Sequence, residues 1–245
     1  MRVFVVLGAL VAAVLPASPA QAQDSSERTW RIRPGIGAQI RPEYPGADEK
    51  EWAPYFTFDL ARGTDEFRFS GPDDPFGIGL LSAGPFRVGP SLAIQSGRKD
   101  SDVGAPLGKV KTTIEAGGFA EVMLMDQFRL RGDLRKGIGG HEGLVGSLAA
   151  DQIWRDGDRY VFSIGPRLLY SDDRYQRAFF RVSPEAALAT GLPAYEPDGG
   201  FHAVAAAAGL HYALGGPLGL FGYARYERAT PATSGSSAML ASRRS

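Results

Sequence analysis

Apolar and polar residues alternate along most of this chain. Trp30, Ile32, Pro34, Ile36, Ala38 and Ile40 fall on one face of an extended segment, and Arg31, Arg33, Gln39 and Arg41 fall on the other. After a Pro/Gly/acid loop, Trp52, Pro54, Phe56, Phe58 and Leu60 repeat the pattern, as do Phe86, Val88, Pro90, Leu92 and Ile94. The spacing predicts further strands over Ile114 to Leu124, Phe128 to Leu134, Leu144 to Trp154, Tyr160 to Tyr170, Phe201 to Leu214 and Leu218 to Tyr226. Phe67 and Phe69 predict a shorter strand, Phe76 to Leu81 a weak one broken by glycines, and Ala178 to Ser183 an aromatic one. A short helix should follow, with Ser183 as cap, Pro184 in its first turn, Glu185 next, and Gly191 and Pro193 stopping it.

Alternation alone fits both a secreted sandwich and a barrel in lipid. Strand length and end residues separate them. At about 3.3 Å per residue and a tilt near 45°, the segment from Tyr160 to Tyr170 climbs roughly 25 Å, the height of the apolar band on an outer-membrane barrel. Aromatic residues stand near strand ends at Trp30, Trp52, Trp154, Tyr160 and Tyr170, where a membrane interface would hold them. The reading is an all-β chain: a transmembrane antiparallel up-and-down β-barrel of about 10–12 strands over residues 23–228, with no internal domain boundary. Residues 229–245 do not alternate, are small and polar, and read as a disordered or aberrant tail, which predicts that a closing strand is missing. Direct closure of 30–40 on 218–226 is the alternative. The weak Phe76 to Leu81 segment would then decide the even strand count that closure requires.

Residues 1–22 have the layout of a secretory signal peptide: Arg2, an apolar core from Val3 to Leu15, and Ala20-Gln21-Ala22, predicting cleavage after Ala22. Lys and Arg number 27 against 27 Asp and Glu, so charge makes no case for nucleic acid or a strongly acidic substrate. Cysteine is absent, which removes disulfides, thiolate nucleophiles and thiolate metal ligands.

Short connections, Met125-Asp126-Gln127 and Arg155-Asp156-Gly157-Asp158, should face the periplasm; 42–51, 97–112 and 171–177 should face outward. Keeping Val122 and Leu124 on the same face as Phe128 and Leu130 requires a turn that leaves 125–127 unpaired. That register sets Glu121 opposite Arg131. Asp156-Gly157 is a hairpin signal, but strand parity asks for an odd loop, so a bulge is expected there.

The inward face is rich in charge, including Arg31, Arg33, Arg87, Glu115 and Arg167. Glu121, Arg129, Arg131, Asp133 and Arg135 are its lumen ion-pair candidates. Such a set either lines an anion pathway or fills a narrow barrel with mutually satisfied pairs; the second is favoured because so few strands enclose little more than side chains. His141-Glu142 with Ser147 has the residue types of a barrel lipid hydrolase, but the spacing assembles no triad and a solvated loop histidine is the simpler reading. His202 and His211 lie nine apart on one strand, hence on opposite faces, unable to share a metal. The acidic clusters at 48–51 and 100–102 read as solvated surface. No catalytic, cofactor or metal residue is assigned.

Several motifs carry a resemblance. Tyr175, Ala178-Phe179-Phe180-Arg181-Val182-Ser183-Pro184, Ala187 and Thr190-Gly191-Leu192-Pro193-Ala194-Tyr195 resemble a segment of the MipA/OmpV family of Gram-negative outer-membrane proteins. Pro42-Glu43-Tyr44-Pro45-Gly46-Ala47, Gly84-Pro85 and Gly97-Arg98 resemble others, so the likeness spans about residues 30–226 and stops short of the tail. Arg181 stands where the family usually has Gly; on a strand it should point into the lumen or sit near an interface, with Phe180 and Val182 facing lipid. The resemblance implies a non-enzymatic scaffold in the outer membrane, embedded in its lipid, that holds a murein transglycosylase and a murein synthase together. A small-solute channel, an adhesin-like barrel and a lipid hydrolase are the alternatives.

Overall fold

The computed structural model describes residues 8–13, 29–103, 106–216 and 218–229. Its strands are β1 (Gly8–Ala13), β2 (Trp30–Pro42), β3 (Lys50–Arg62), β4 (Phe76–Gly77), β5 (Leu81–Ala83), β6 (Phe86–Gln95), β7 (Thr113–Leu124), β8 (Phe128–Ile138), β9 (Leu144–Asp156), β10 (Tyr160–Ser171), β11 (Gly200–Gly215) and β12 (Leu218–Ala229). They form one curled antiparallel sheet in the order β3-β2-β1-β12-β11-β10-β9-β8-β7-β6-β4, with β5 also on β6. The helices are α1 (Asp100–Val103), α2 (Asp173–Phe180) and α3 (Pro184–Thr190). None is long and apolar enough to cross a membrane.

The polarity of the sheet is inverted relative to a water-soluble fold. Trp52, Phe56, Ile36 and Ile94 are 73, 68, 63 and 69 % exposed on the convex face, while Arg129 and Asp151 are fully buried on the concave one. A sandwich would put its aromatics between two sheets. Here the alternating apolar set is exposed on the outside and much of the charged set is buried on the inside, the arrangement of an all-β barrel wall. Some strand glycines serve close backbone approach: a Cβ on Gly165 would lie 1.7 Å from the Ala150 carbonyl oxygen.

Eleven strands alternate along the sheet path, so its end members, β3 and β4, run in the same direction and do not pair. The chain between them ascends, but not in the wall. Phe67 and Phe69, expected as a short strand, are buried inside the curl as part of an irregular segment, 63–75. The reason is chemical: Phe67 lies under the guanidinium groups of Arg31 and Arg33, 4.8 and 4.3 Å from its ring centre, and Phe69 under Arg129 at 4.8 Å. The adjacent Phe76 to Leu81 segment splits into β4 and β5, and between them the Ile78 and Leu80 amides donate hydrogen bonds to the Pro90 and Val88 carbonyls of β6.

Hairpin registers follow the alternation closely. Leu124 faces Phe128 and Glu121 faces Arg131, leaving 125–127 as the turn. Met125 and Asp126 take positive φ there. The loop after Asp156 is odd, 157–159, but the register from Tyr160↔Asp156 onward shows no shift, so loop length meets the parity and the expected bulge is absent.

The aromatic run after Tyr170 departs from expectation. Asp172 accepts a hydrogen bond from the Tyr175 amide and caps α2, so Ala178, Phe179 and Phe180 are helical rather than strand. Phe180 and Val182 are buried among loops instead of facing lipid, and Arg181 caps the helix C-terminus with Nε 2.8 Å from Glu196. Helical spacing lets Tyr175 and Phe179 pack four residues apart, which a strand would prevent. The second helix forms as read: Ser183 accepts from the Ala186 amide, Pro184 opens α3, and Gly191 ends it at φ 71°.

Closure is not direct. β1 pairs with both β12 and β2, so Gly8–Ala13 separates the strands that the alternative of direct closure would join. The rest of the expected leader, with its cleavage site at Ala22, and the tail from 230 lie outside the described residues. Cutting after Ala22 would remove β1 and leave the edges of β2 and β12 one strand apart, each unpaired backbone group costing several kcal/mol in lipid. Chains beginning at Gln23 should therefore assemble poorly, and a grafted closing strand ending in Phe should raise the fraction that shifts on an unboiled gel. Equal shifts for both chains would refute this.

Candidate functional site

The concave face of the sheet carries cations on alternate positions of neighbouring strands, and the segment 63–75 brings carboxylates to meet them. Asp73 and Asp74 are its anchors. Arg129 Nη1 and Nη2 donate to the two oxygens of Asp74 at 2.6 and 3.1 Å, and the Gly71 amide donates to Oδ2 at 2.8 Å. Arg167 Nη2 donates to Asp73 Oδ1 at 2.9 Å, and Arg225 Nη1 stands 3.3 Å from Asp73 Oδ2. Asp151 of β9 bridges the two systems, accepting from Arg129 at 2.6 Å and from Arg167 at 2.7 Å. Four strands, β8, β9, β10 and β12, and one loop thus share a single buried network, with bidentate geometry at Arg129.

The ion-pair candidates from the sequence fall in or beside this network. Glu121 accepts from Arg131 Nη1 at 3.2 Å and from Arg87 Nε at 2.8 Å, with Arg129 Nη1 at 3.7 Å. Arg131 also stands 4.0 Å from Asp74. Asp133 pairs with Arg135 and accepts from Ser147 Oγ at 2.6 Å; Arg135 Nε donates to Glu115 at 3.0 Å. Asp73, Asp74, Asp151 and Arg225 were not singled out from sequence. The Asp73-Asp74 pair sits in a Gly/Pro-rich stretch that reads as a turn, and only the tertiary path takes it inside.

At the long-loop end a second assembly covers part of the barrel. Tyr175, Phe179, Phe180, Val110 and Val145 form one buried cluster, and Val182, Ala186 and Leu192 another. Arg98 is buried beneath them. It donates to the carbonyls of Gly108 at 3.0 Å and Phe179, tying the 96–112 loop to α2, while burial pulls its pKa below the ordinary arginine value. Burial, then the nearby Glu115 and Glu227, push the Tyr175 phenol up, so it stays a neutral donor.

The histidines differ from their sequence readings. His141 is buried, not solvated: Nε2 lies 3.2 Å from Glu115, Nδ1 accepts from the Gly143 amide at 3.0 Å, and its own amide donates to Thr113 Oγ1. Both ring nitrogens are engaged, and Ser147 is bonded to Asp133 instead. His202 and His211 both point inward, because a register shift between Ala203 and Phe201 resets the parity of β11. They line separate cavities. The acidic cluster near 100 opens α1, where Asp102 accepts from the Lys99 amide at 2.7 Å.

The plug segment divides the interior. Towards the long loops lies a cavity of about 490 Å³ floored by Pro72, Asp73, Asp74 and Pro75. On its other side lies one of about 150 Å³ against Phe67, Phe69, His211 and Phe221. Replacing both plug carboxylates, Asp73→Asn with Asp74→Asn, leaves wall arginines without partners; breaking a buried pair costs about 3–5 kcal/mol. The double variant should loosen the plug and pass small anions across a planar bilayer where the unaltered chain passes little. Unchanged conductance would show that the carboxylates do not hold the plug. His141→Ala should lower the unfolding temperature by several degrees and leave lipid turnover at background, since the imidazole braces the 139–143 turn.

The family model described as MltA-interacting protein MipA matches residues 35–244. The match runs through the region beyond Tyr226 where the motif resemblance ends, so the tail lies within the family's extent. No curated protein matches the chain. With an inverted, curled antiparallel sheet, the motif residues assembled at its loop end, and a match over most of its length, the chain belongs to the MipA family.

Proposed function

We propose that this protein is an outer-membrane β-barrel of the scaffold kind, embedded through its convex face in lipid and serving to hold murein-remodelling enzymes rather than to catalyse. The observation that carries this reading is the plug. A lumen crossed by Asp73 and Asp74, each tied to arginines of the wall, is filled by protein at that level, which favours the outer surfaces of the barrel as its means of action. The family description, which names an interaction with MltA, supports a murein transglycosylase as one partner. A murein synthase as a second partner completes the reading, and removal of a leader after Ala22 would leave the place of β1 between β2 and β12 for another strand to fill. Loop lengths support an orientation with the 125–127 and 157–159 turns towards the periplasm, where such partners work. The geometry around His141 supports the non-enzymatic side, because its ring nitrogens are committed to Glu115 and the Gly143 amide.

The test is to use the purified barrel as bait in a periplasmic extract and to measure its bilayer conductance in parallel. Recovery of murein transglycosylase or synthase with negligible conductance is expected. Steady conductance without either enzyme would favour a small-solute channel and overturn the scaffold.

A further inference from the structure

The cavity at the long-loop end has a composition that points to a ligand. Its volume, about 490 Å³, lies within the range of roughly 300–1,000 Å³ usual for small-molecule sites. Four arginines and four carboxylates line it, and these charges are already spent on partners. Arg167 and Arg225 hold Asp73, Arg225 Nη2 donates to Glu227 at 2.7 Å, Arg135 holds Glu115, Arg41 Nε donates to Glu51 at 3.0 Å, and Asp74 belongs to Arg129. A charged ligand would have to break one of these pairs and leave its partner exposed to low dielectric, which is costly. A neutral one would not.

What remains for recognition is hydrogen bonding and aromatic surface. Phenol rings come from several elements: Tyr44 from the β2–β3 loop, Tyr55 from β3, Tyr175 from α2 and Tyr223 from β12. Paired arginines and carboxylates keep unused lone pairs and N–H groups that can meet adjacent hydroxyls, one donating and one accepting. Planar ionic groups fixed against one another, together with tyrosine rings, suit a compact molecule with many hydroxyls on an apolar carbon skeleton. The geometry points to a binding site for a neutral saccharide of one or two rings, entered from the long-loop end and floored by the plug. This site is independent of any protein scaffold role on the barrel's outer surface.

The experiment uses the full-length chain, folded in a detergent without a sugar headgroup and checked by its gel shift. Saturation-transfer NMR is run with maltose, cellobiose and sucrose as neutral disaccharides, and with galacturonate and glucosamine as charged monosaccharides. At least one neutral sugar should show saturable transfer, with the charged sugars at least tenfold weaker. Ala93→Trp, which fills the cavity from an inward position of β6 opposite Glu115 and replaces a residue that is itself in no ion pair, should weaken binding at least tenfold while the gel shift stays unchanged. Gln95→Trp, nearer the mouth, serves if Ala93→Trp fails to fold. Absence of transfer from all three neutral sugars, stronger binding of a charged one, or equal binding by the filled variant would overturn the proposal.

Discussion

Lipid cannot solvate an arginine. At the midplane of a bilayer one would cost about 2–4 kcal/mol on the outer face of a barrel, so every spanning strand here must send its charges inward. The consequence is a concave face crowded with guanidinium groups that meet little water. Arg129 is fully buried and Arg131 and Arg167 nearly so, and a buried cation is tolerable only with a carboxylate at hydrogen-bond distance. The wall supplies part of the balance through Glu115, Glu121, Asp133 and Asp151. The remainder comes from Asp73 and Asp74, and that debt is why segment 63–75 leaves the wall.

Seen this way, the plug is a structural requirement before it is a functional device. Phe67 and Phe69, apolar residues in a place that should be polar, are accommodated because guanidinium planes cover their faces. The same groups answer the aromatic rings on one side and the carboxylates on the other. Removing the segment would expose both sets at once.

Wherever the pattern had a period of two and a long run, it was readable. The β7–β8 register, including Glu121 opposite Arg131, follows from which residues must face lipid, and a one-residue slip would have turned Leu124 and Phe128 inward. The helix from Pro184 followed equally from its cap, its proline and its glycine. Where short aromatic runs were read as strands, tertiary context decided otherwise. Phe179-Phe180 and Phe67-Phe69 are each too short to show a period, and Asp172 as a cap in one case and guanidinium stacking in the other set their conformation. His202 illustrates a third limit: counting parity along β11 fails once a single residue is out of register near Phe201. The partners Asp73 and Asp74 were illegible for the plainest reason, because local sequence does not reveal that a Pro/Gly turn is carried into the lumen.

Parity also governs how the sheet closes. An antiparallel ring needs an even number of strands, since each neighbour reverses direction. β2 and β12 run the same way along the sheet path, so they cannot pair antiparallel with one another, and whatever stands between them must run opposite to both. Gly8–Ala13 does so, with Gly8 opposite Gln39 on one side and Tyr223 on the other. The Tyr223 hydroxyl donates to Gln39 Oε1 at 2.5 Å, crossing the intervening strand on the lumen side. Any strand that occupies this position must therefore run opposite to β2 and β12 and pair its backbone with both, because an unpaired edge in lipid costs several kcal/mol per group.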